Sequence, residues 1–254
     1  MLYHYTSLST LCNMLAPTNR DKDSVTFWAT DVLCMNDPKE LTYGENEVKN
    51  FIRKYEHEQN IKDGDKISSV IDESSNINLF KKLGNFYAIS LSKESDSLPM
   101  WQTYGDKGRG INIIIKDKGM NGEIYDNKKL PIKQRADNLF AQTLHTLFRK
   151  NEIEYGEIAS TGSCGKTIIS RYNKYLEDLC LQNTIVDREF AKMQVFVDML
   201  YIGAQSIKSA SYSYEKEERL YCIPTEKPKY RLNYLGHIIP LIPQHFSLTF
   251  FISS

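Results

Sequence analysis

His4 and Thr6 stand two residues apart near the start of the chain. In a strand they share one face, and an imidazole beside a hydroxyl can hydrogen-bond ribose hydroxyls or an amide. A core histidine satisfied by one hydrogen bond accounts for His4 equally well, and both readings stay open. Near the other end, Glu215, Glu217 and Arg219 alternate through Glu215-Lys216-Glu217-Glu218-Arg219. In strand register these three share a face, which then meets either solvent or a polar cleft. A carboxylate beside Arg219 stays ionised, because the cation favours the charged form. An ionised Glu in a cleft can hold a ribose hydroxyl or stabilise developing positive charge.

Two further stretches carry suitable side chains. Ser90 and Ser92 share one strand face and lead toward Trp101 and Tyr104, aromatics that can stack on a flat ring or fill a core. Asn36-Asp37-Pro38 reads as an Asx turn opening a helix, with Asn36 also a candidate ligand contact.

Other chemistries lack their motifs. The five His, at 4, 57, 145, 237 and 245, form no HExxH-type pair, and no GxSxG elbow or Walker-type phosphate loop occurs. No metal site is expected. The run Gly105–Gly110 lies between an expected helix and an expected strand. A dinucleotide fingerprint needs the reverse order, so the run reads as a turn. Cys12, Cys34, Cys164, Cys180 and Cys222 are odd in number and include no CxxC pair, which points to buried thiols in a reducing compartment.

The elements that must position these residues follow from periodicity. Residues 2–5 read as a strand, and Ser7 or Ser9 then caps a helix with Leu8, Leu11, Cys12, Met14 and Leu15 on its apolar side. Residues 24–29 form a second strand. A charged amphipathic helix runs through Leu41, Val48 and Phe51, and residues 57–78 read as helix plus loop. Residues 85–92 form a strand, and Asp96 or Ser97 caps a short helix through residues 100–104. Residues 111–115 are almost continuously apolar and read as a central strand, with smaller strands at 123–125 and 130–132. Residues 133–206 are helical in pattern, around a loop at 156–165. Strands return at 214–223, 234–241 and 246–252. The layout is α+β: one domain over 1–254, with a strand-rich core at about 1–132 and 210–254 and a helical insertion at about 133–206.

Bulk properties agree with a globular protein. Of 254 residues, 41% are hydrophobic and 25% charged, and the 32 basic side chains balance 32 acidic ones. A net charge of zero gives no long-range attraction to nucleic acid or to an anionic membrane. The start of the chain carries no basic and apolar leader, and no span of membrane length is evident, so a cytoplasmic location is expected.

Four groups of residues together resemble one family: Leu2-Tyr3-His4-Tyr5-Thr6-Ser7-Leu8; Thr30-Asp31 with Asn36-Asp37-Pro38-Lys39-Glu40-Leu41; Ile89-Ser90-Leu91-Ser92 with Asp96-Ser97-Leu98-Pro99-Met100-Trp101-Gln102-Thr103-Tyr104-Gly105; and Glu215–Leu220. The chain is similar there to the bacterial domain-of-unknown-function family 2971, which itself resembles a distant branch of the ADP-ribosyltransferase superfamily. That resemblance implies a split β-sheet core binding NAD as substrate, without metal. It implies catalytic roles for His4, Tyr104 and Glu217. His4 would contact ribose with help from Thr6, Tyr104 would pack on nicotinamide, and Glu217 would hold the nicotinamide ribose, with Glu215 and Glu218 as competing acids. Tyr5, Asn36, Ser90, Ser92, Trp101 and Arg219 would line the cofactor site. It implies a macromolecular acceptor, nucleic acid or protein, and a setting as a toxin or phage-defence effector with an antitoxin partner. The alternatives are a non-catalytic nucleotide- or RNA-end-binding module, or an interaction protein using the helical block. The sharpest expectation is that His4, Tyr104 and Glu217 converge on one pocket.

Overall fold

A computed structural model describes residues 1–15, 24–32, 40–73, 87–115, 149–179, 185–222, 229–232 and 238–247. The expected strands at 123–125 and 130–132, the first part of the expected helical block and Asn36 lie outside these residues. The chain divides into two compact units.

The first unit comprises Met1–Asn36, Asn85–Glu152 and Tyr214–Ser254 and is built on an antiparallel sheet. Its strands are β1 (Leu2–Thr6), β2 (Ser24–Asp31), β3 (Tyr87–Ser92), β4 (Ile111–Ile115), β5 (Arg149–Glu152), β8 (Glu217–Cys222), β9 (Lys229–Leu232) and β10 (Ile238–Ser247). The order is β4-β1-β3-β2-β10-β9, with β8 paired to β3 and β5 paired to β8. The sheet splits at β3. Strand β2 pairs near its start, Thr30 to Ala88, and β1 pairs at its end, Tyr3 to Ser92. Strand β8 runs along β3 from Tyr87 to Ser92.

Alternation gives the sheet two contrasting faces. Leu2, Phe27, Ala29, Tyr87, Ile89, Leu91, Ile113, Ile115 and Leu220 form a buried apolar cluster with Met14. Met14 comes from helix α1 (Leu8–Met14), which is capped by Ser7: the Thr10 amide donates to the Ser7 hydroxyl at 3.1 Å. The other face is polar and carries Tyr3, Tyr5, Ser90, Ser92, Glu217, Arg219 and Tyr221, as the pairings Tyr3 to Ser92 and Ser92 to Glu217 require.

Three expectations change here. Strand β4 ends the sheet path among the described residues instead of lying at its centre, and Ile114 is half-exposed, so its apolar run faces a core on one side only. Residues 149–155 form strands where helix was expected. The strand expected from 214 starts at Glu217, because Ala210–Glu215 is a 3-10 helix and Lys216 has a left-handed φ of 41°.

The second unit comprises Asp37–Gly84 and Ile153–Ser213. Its helices are α2 (Glu40–Glu58), α3 (Ser68–Glu73), α5 (Ser163–Leu179) and α6 (Ile185–Ser206). A short parallel pair, β6 (Glu154–Tyr155) with β7 (Ile207–Lys208), joins them. Val48, Ile52, Ile67, Ile168, Tyr172, Phe196, Met199 and Leu200 make its core. Gly203 lets α2 approach α6: a Cβ there would lie 2.1 Å from the Val48 side chain. Buried Glu56 accepts from the Tyr172 hydroxyl at 2.7 Å and from the Ser68 amide at 2.9 Å, satisfying the start of α3. Among the described residues no helix is long and apolar enough to cross a membrane.

Candidate functional site

The candidate site lies on the polar face of the first unit's sheet, where β3 meets β8. Arg219 is 1% exposed and Glu217 is 4% exposed. They stand two apart on β8, so their side chains rise together from one face. The Arg219 guanidinium forks onto Glu217, donating from Nε at 2.6 Å and Nη2 at 2.9 Å. Its Nη1 donates to the Tyr221 hydroxyl at 3.4 Å. This is the bidentate geometry that suits guanidinium and carboxylate.

Tyr104 follows helix α4 (Leu98–Thr103) as its C-cap. Its hydroxyl donates to Glu215 Oε1 at 2.7 Å, and Glu215 is buried. Burial, then the neighbouring Glu215 carboxylate, holds the Tyr104 hydroxyl well above the ordinary phenol range. The hydroxyl therefore stays protonated and acts as a donor. Ser92 locks the backbone of the same acid: its hydroxyl donates to the Glu215 carbonyl at 2.7 Å and accepts from the Glu94 amide at 3.0 Å. Left-handed Lys216 turns the chain between Glu215 and Glu217, so the two carboxylates arise from different elements.

His4 occupies the split between β1 and β2. Its Nδ1 lies 3.1 Å from the Ser90 carbonyl, and its ring packs edge-on against Phe27 with centroids 5.2 Å apart. Burial lowers the His4 pKa below its usual value, and the hydrogen bond to Ser90 opposes that shift. A neutral ring must donate from Nδ1 to this carbonyl, which leaves Nε2 as an acceptor. His4 lies on the apolar face with Phe27, whereas Glu217 rises from the polar face. The expected convergence is thus corrected. Tyr104 and the acids meet, while His4 reaches the same strand from the other side, because one pleat step separates it from Tyr3 and Tyr5.

The remaining candidates take definite places. Tyr5 donates to the Glu94 carbonyl at 2.8 Å, accepts from the Ser97 amide at 3.2 Å and packs edge-on against Trp101. Trp101 donates to Asp96 at 2.8 Å. Thr6 is buried, and its carbonyl sits where a Cβ on Gly110 would come within 2.2 Å. Ser90 pairs with Arg219 across the strands, and its buried hydroxyl has no hydrogen-bond partner among the described residues. Glu218 pairs with Leu91 and projects to the opposite face from Glu217. Asn36 lies outside the described residues. Sequence reasoning ranked Glu215 below Glu217 and missed its bond to Tyr104. Among the described residues no group of three or more His, Cys, Asp or Glu is placed to hold a metal ion.

Fold and site together define a mixed α+β protein with an acid-and-tyrosine cluster on an antiparallel sheet. Residues 100–220 match the family model described as Protein of unknown function (DUF2971), which supports the resemblance to that family drawn from the sequence. The matched span contains Tyr104, Glu215, Glu217 and Arg219 and leaves out His4. No curated protein matches the chain, and no solved structure does.

Proposed function

We propose that the protein is an ADP-ribosyltransferase-like enzyme that uses NAD as substrate and modifies a macromolecule, nucleic acid or protein. The observation that carries this reading is the meeting of Tyr104 with Glu215 beside the Glu217–Arg219 pair on one polar sheet face. In the reaction, the bond between nicotinamide nitrogen and ribose C1′ breaks, and nicotinamide leaves with the electron pair. The cationic sugar is then captured by a nucleophile of the acceptor. Such chemistry needs positioning and electrostatic support more than an activated side-chain nucleophile. Two carboxylates can supply that support, and Tyr104, its single proton held on Glu215, can pack on the ring of a ligand. In this scheme Glu215 joins Glu217 as the key acid. His4 acts from behind, holding the Ser90 carbonyl at the split. A toxin or phage-defence role, with an antitoxin partner, belongs to the same proposal.

A second reading has its own support. Glu215 and Glu217 are only 3% and 4% exposed and both are hydrogen-bonded, which suits a non-catalytic nucleotide- or RNA-end-binding module. One experiment separates the two. Wild type, Glu217→Gln, Glu215→Gln, Tyr104→Phe and His4→Ala are incubated with labelled NAD and a broad set of lysates. The transferase reading expects free nicotinamide and a labelled macromolecule from wild type, with loss in both Glu variants. Wild type that yields neither product sinks it, and a stable NAD complex without turnover selects the binding module.

A further inference from the structure

The segment 93–104 runs from the end of β3 past Tyr5 of β1 and returns through Tyr104 to Glu215 of the cluster just described. Among the described residues it is fastened by a series of polar contacts. Tyr5 of β1 clasps it at the Glu94 carbonyl and the Ser97 amide. Asn112 of β4 donates to the Ser95 carbonyl at 2.7 Å. Lys216 pairs with Glu94, and Lys93 pairs with Glu152 at 2.5 Å, both at exposed positions. Tyr104 ties the far end to Glu215. Apolar anchoring is slight: Met100 is buried, but Leu98 is 71% exposed, and Trp101 contributes one edge-on contact to Tyr5. The segment meets the cluster at two points, where the Glu94 amide donates to the Ser92 hydroxyl and the Tyr104 hydroxyl donates to Glu215; Ser92, Glu217 and Arg219 are each at most 4% exposed.

The two ends differ in character. At the far end Asp106, Lys107 and Gly108 all take left-handed φ, at 49°, 56° and 83°. Two of these are not glycine, so the turn stores strain. Gly110 then presses against the Thr6 carbonyl, where no side chain fits, and this pins the turn to β1. A stretch held by a few polar clasps between a sheet and a pinned, strained turn can open while the sheet stays intact.

We propose that residues 93–104 form a strap that opens as a unit from the polar face and so controls access to the Glu217–Arg219 pair. As regulation of the proposed site, this rests on the NAD reading; the strap's opening itself does not. Tyr5 is then a positioning residue, acting through the strap and not on the ligand.

Native-state hydrogen exchange on the full chain, at graded low urea, tests this. The Ser97, Trp101, Tyr104 and Gly105 amides, all bonded within or to the strap, should exchange at least about tenfold faster than amides of the β3–β8 ladder. Tyr5→Phe should speed the strap amides by about a further tenfold and leave the ladder unchanged. Arg219 should also become more reactive toward phenylglyoxal in that variant, read by peptide mass spectrometry. Asn112→Ala, which frees the Ser95 carbonyl, gives the same test should Tyr5→Phe not fold. Strap and ladder amides exchanging at one rate, with one urea dependence, would overturn the proposal. That result leaves nicotinamide release untouched, and a failed NAD assay leaves the exchange pattern untouched.

Discussion

Replacing Arg219 by methionine removes the guanidinium that forks onto Glu217 and keeps a long apolar stem in its place. The pair sits almost wholly out of water, at 1% and 4% exposure, with contacts of 2.6 and 2.9 Å. Breaking a buried pair from one side costs about 3–5 kcal/mol, because the remaining charge keeps its desolvation penalty and loses its cation. A domain of about 150–250 residues loses about 2–4 °C in Tm per kcal/mol, so a fall of about 6–20 °C is expected. Urea denaturation followed by circular dichroism measures the loss in free energy, and a thermal scan measures the fall in Tm. Arg219→Lys keeps the charge but not the planar fork and should fall between methionine and wild type. The double variant Glu217→Leu/Arg219→Met removes both charges and should recover most of the loss, since well-packed apolar pairs replace buried ion pairs at little cost. Such a cycle yields a coupling energy of several kcal/mol between the two positions. An Arg219→Met variant within about 1 kcal/mol of wild type would refute the reasoning, because the pair would then be wet or replaceable.

Tyr104→Phe should cost about 1.5–3 kcal/mol, the worth of a hydrogen bond to a charged acceptor, and is read from the same urea curves. Burial raises the pKa of Tyr104, Tyr172 and Tyr175, so their folded forms hold the phenolic proton more tightly than the unfolded chain does. That stability is fully present below about pH 10 and is lost as pH rises beyond it; spectrophotometric titration near 295 nm should show these tyrosines ionising only with unfolding. His4 shifts downward, so its contribution is present above about pH 6.5 and lost as pH falls below that value; His4→Gln should flatten the acid limb of the stability curve. The expectation of buried thiols fails for Cys12, which is exposed, and is met by Cys164, whose thiol burial pushes up to about 12, so peptide-resolved alkylation at pH 8 should modify Cys12 in the native protein and Cys164 only after unfolding.

Local chemistry made some of this architecture legible. The β1–α1 junction follows from alternation and a Ser cap, and the structure selects Ser7 over Ser9. Strand β3 lies within the expected strand at 85–92, and the Pro-bearing α4 falls where the helix-start signals put it. Other features depend on contacts distant in sequence. The apolar run of β4 looks the same at the edge of a sheet as at its centre, and only pairing decides. Residues 149–155 carry charge and little periodicity, and they become strands by pairing with β8 and β7. The left-handed Lys216 had no sequence signal, since a lysine there predicts continued strand. For that reason Glu215 was expected beside Glu217 on one strand, when in fact it ends a separate 3-10 helix.

The position of His4 follows from a simpler rule and has the larger consequence. Leu2, His4 and Thr6 alternate with Tyr3 and Tyr5, so whichever face buries Leu2 must also take His4. Leu2 joins the apolar cluster, and His4 packs on Phe27 of that cluster. A one-residue slip of β1 would move His4 to the polar face, but it would also expose Leu2 and withdraw the Tyr5 hydroxyl from Glu94 and Ser97. The register is therefore held by both faces at once. Under that constraint the split in the sheet has a direct use for an imidazole. Between the Thr30 and Tyr3 pairings, the Ser90 carbonyl lacks the neighbour that a continuous strand would supply, and His4 Nδ1 provides the hydrogen bond. Ser90 also pairs with Arg219, so the histidine and the buried ion pair brace one residue of β3 from its two sides. Any ligand that enters the polar face meets a floor whose position His4 helps to fix without touching it.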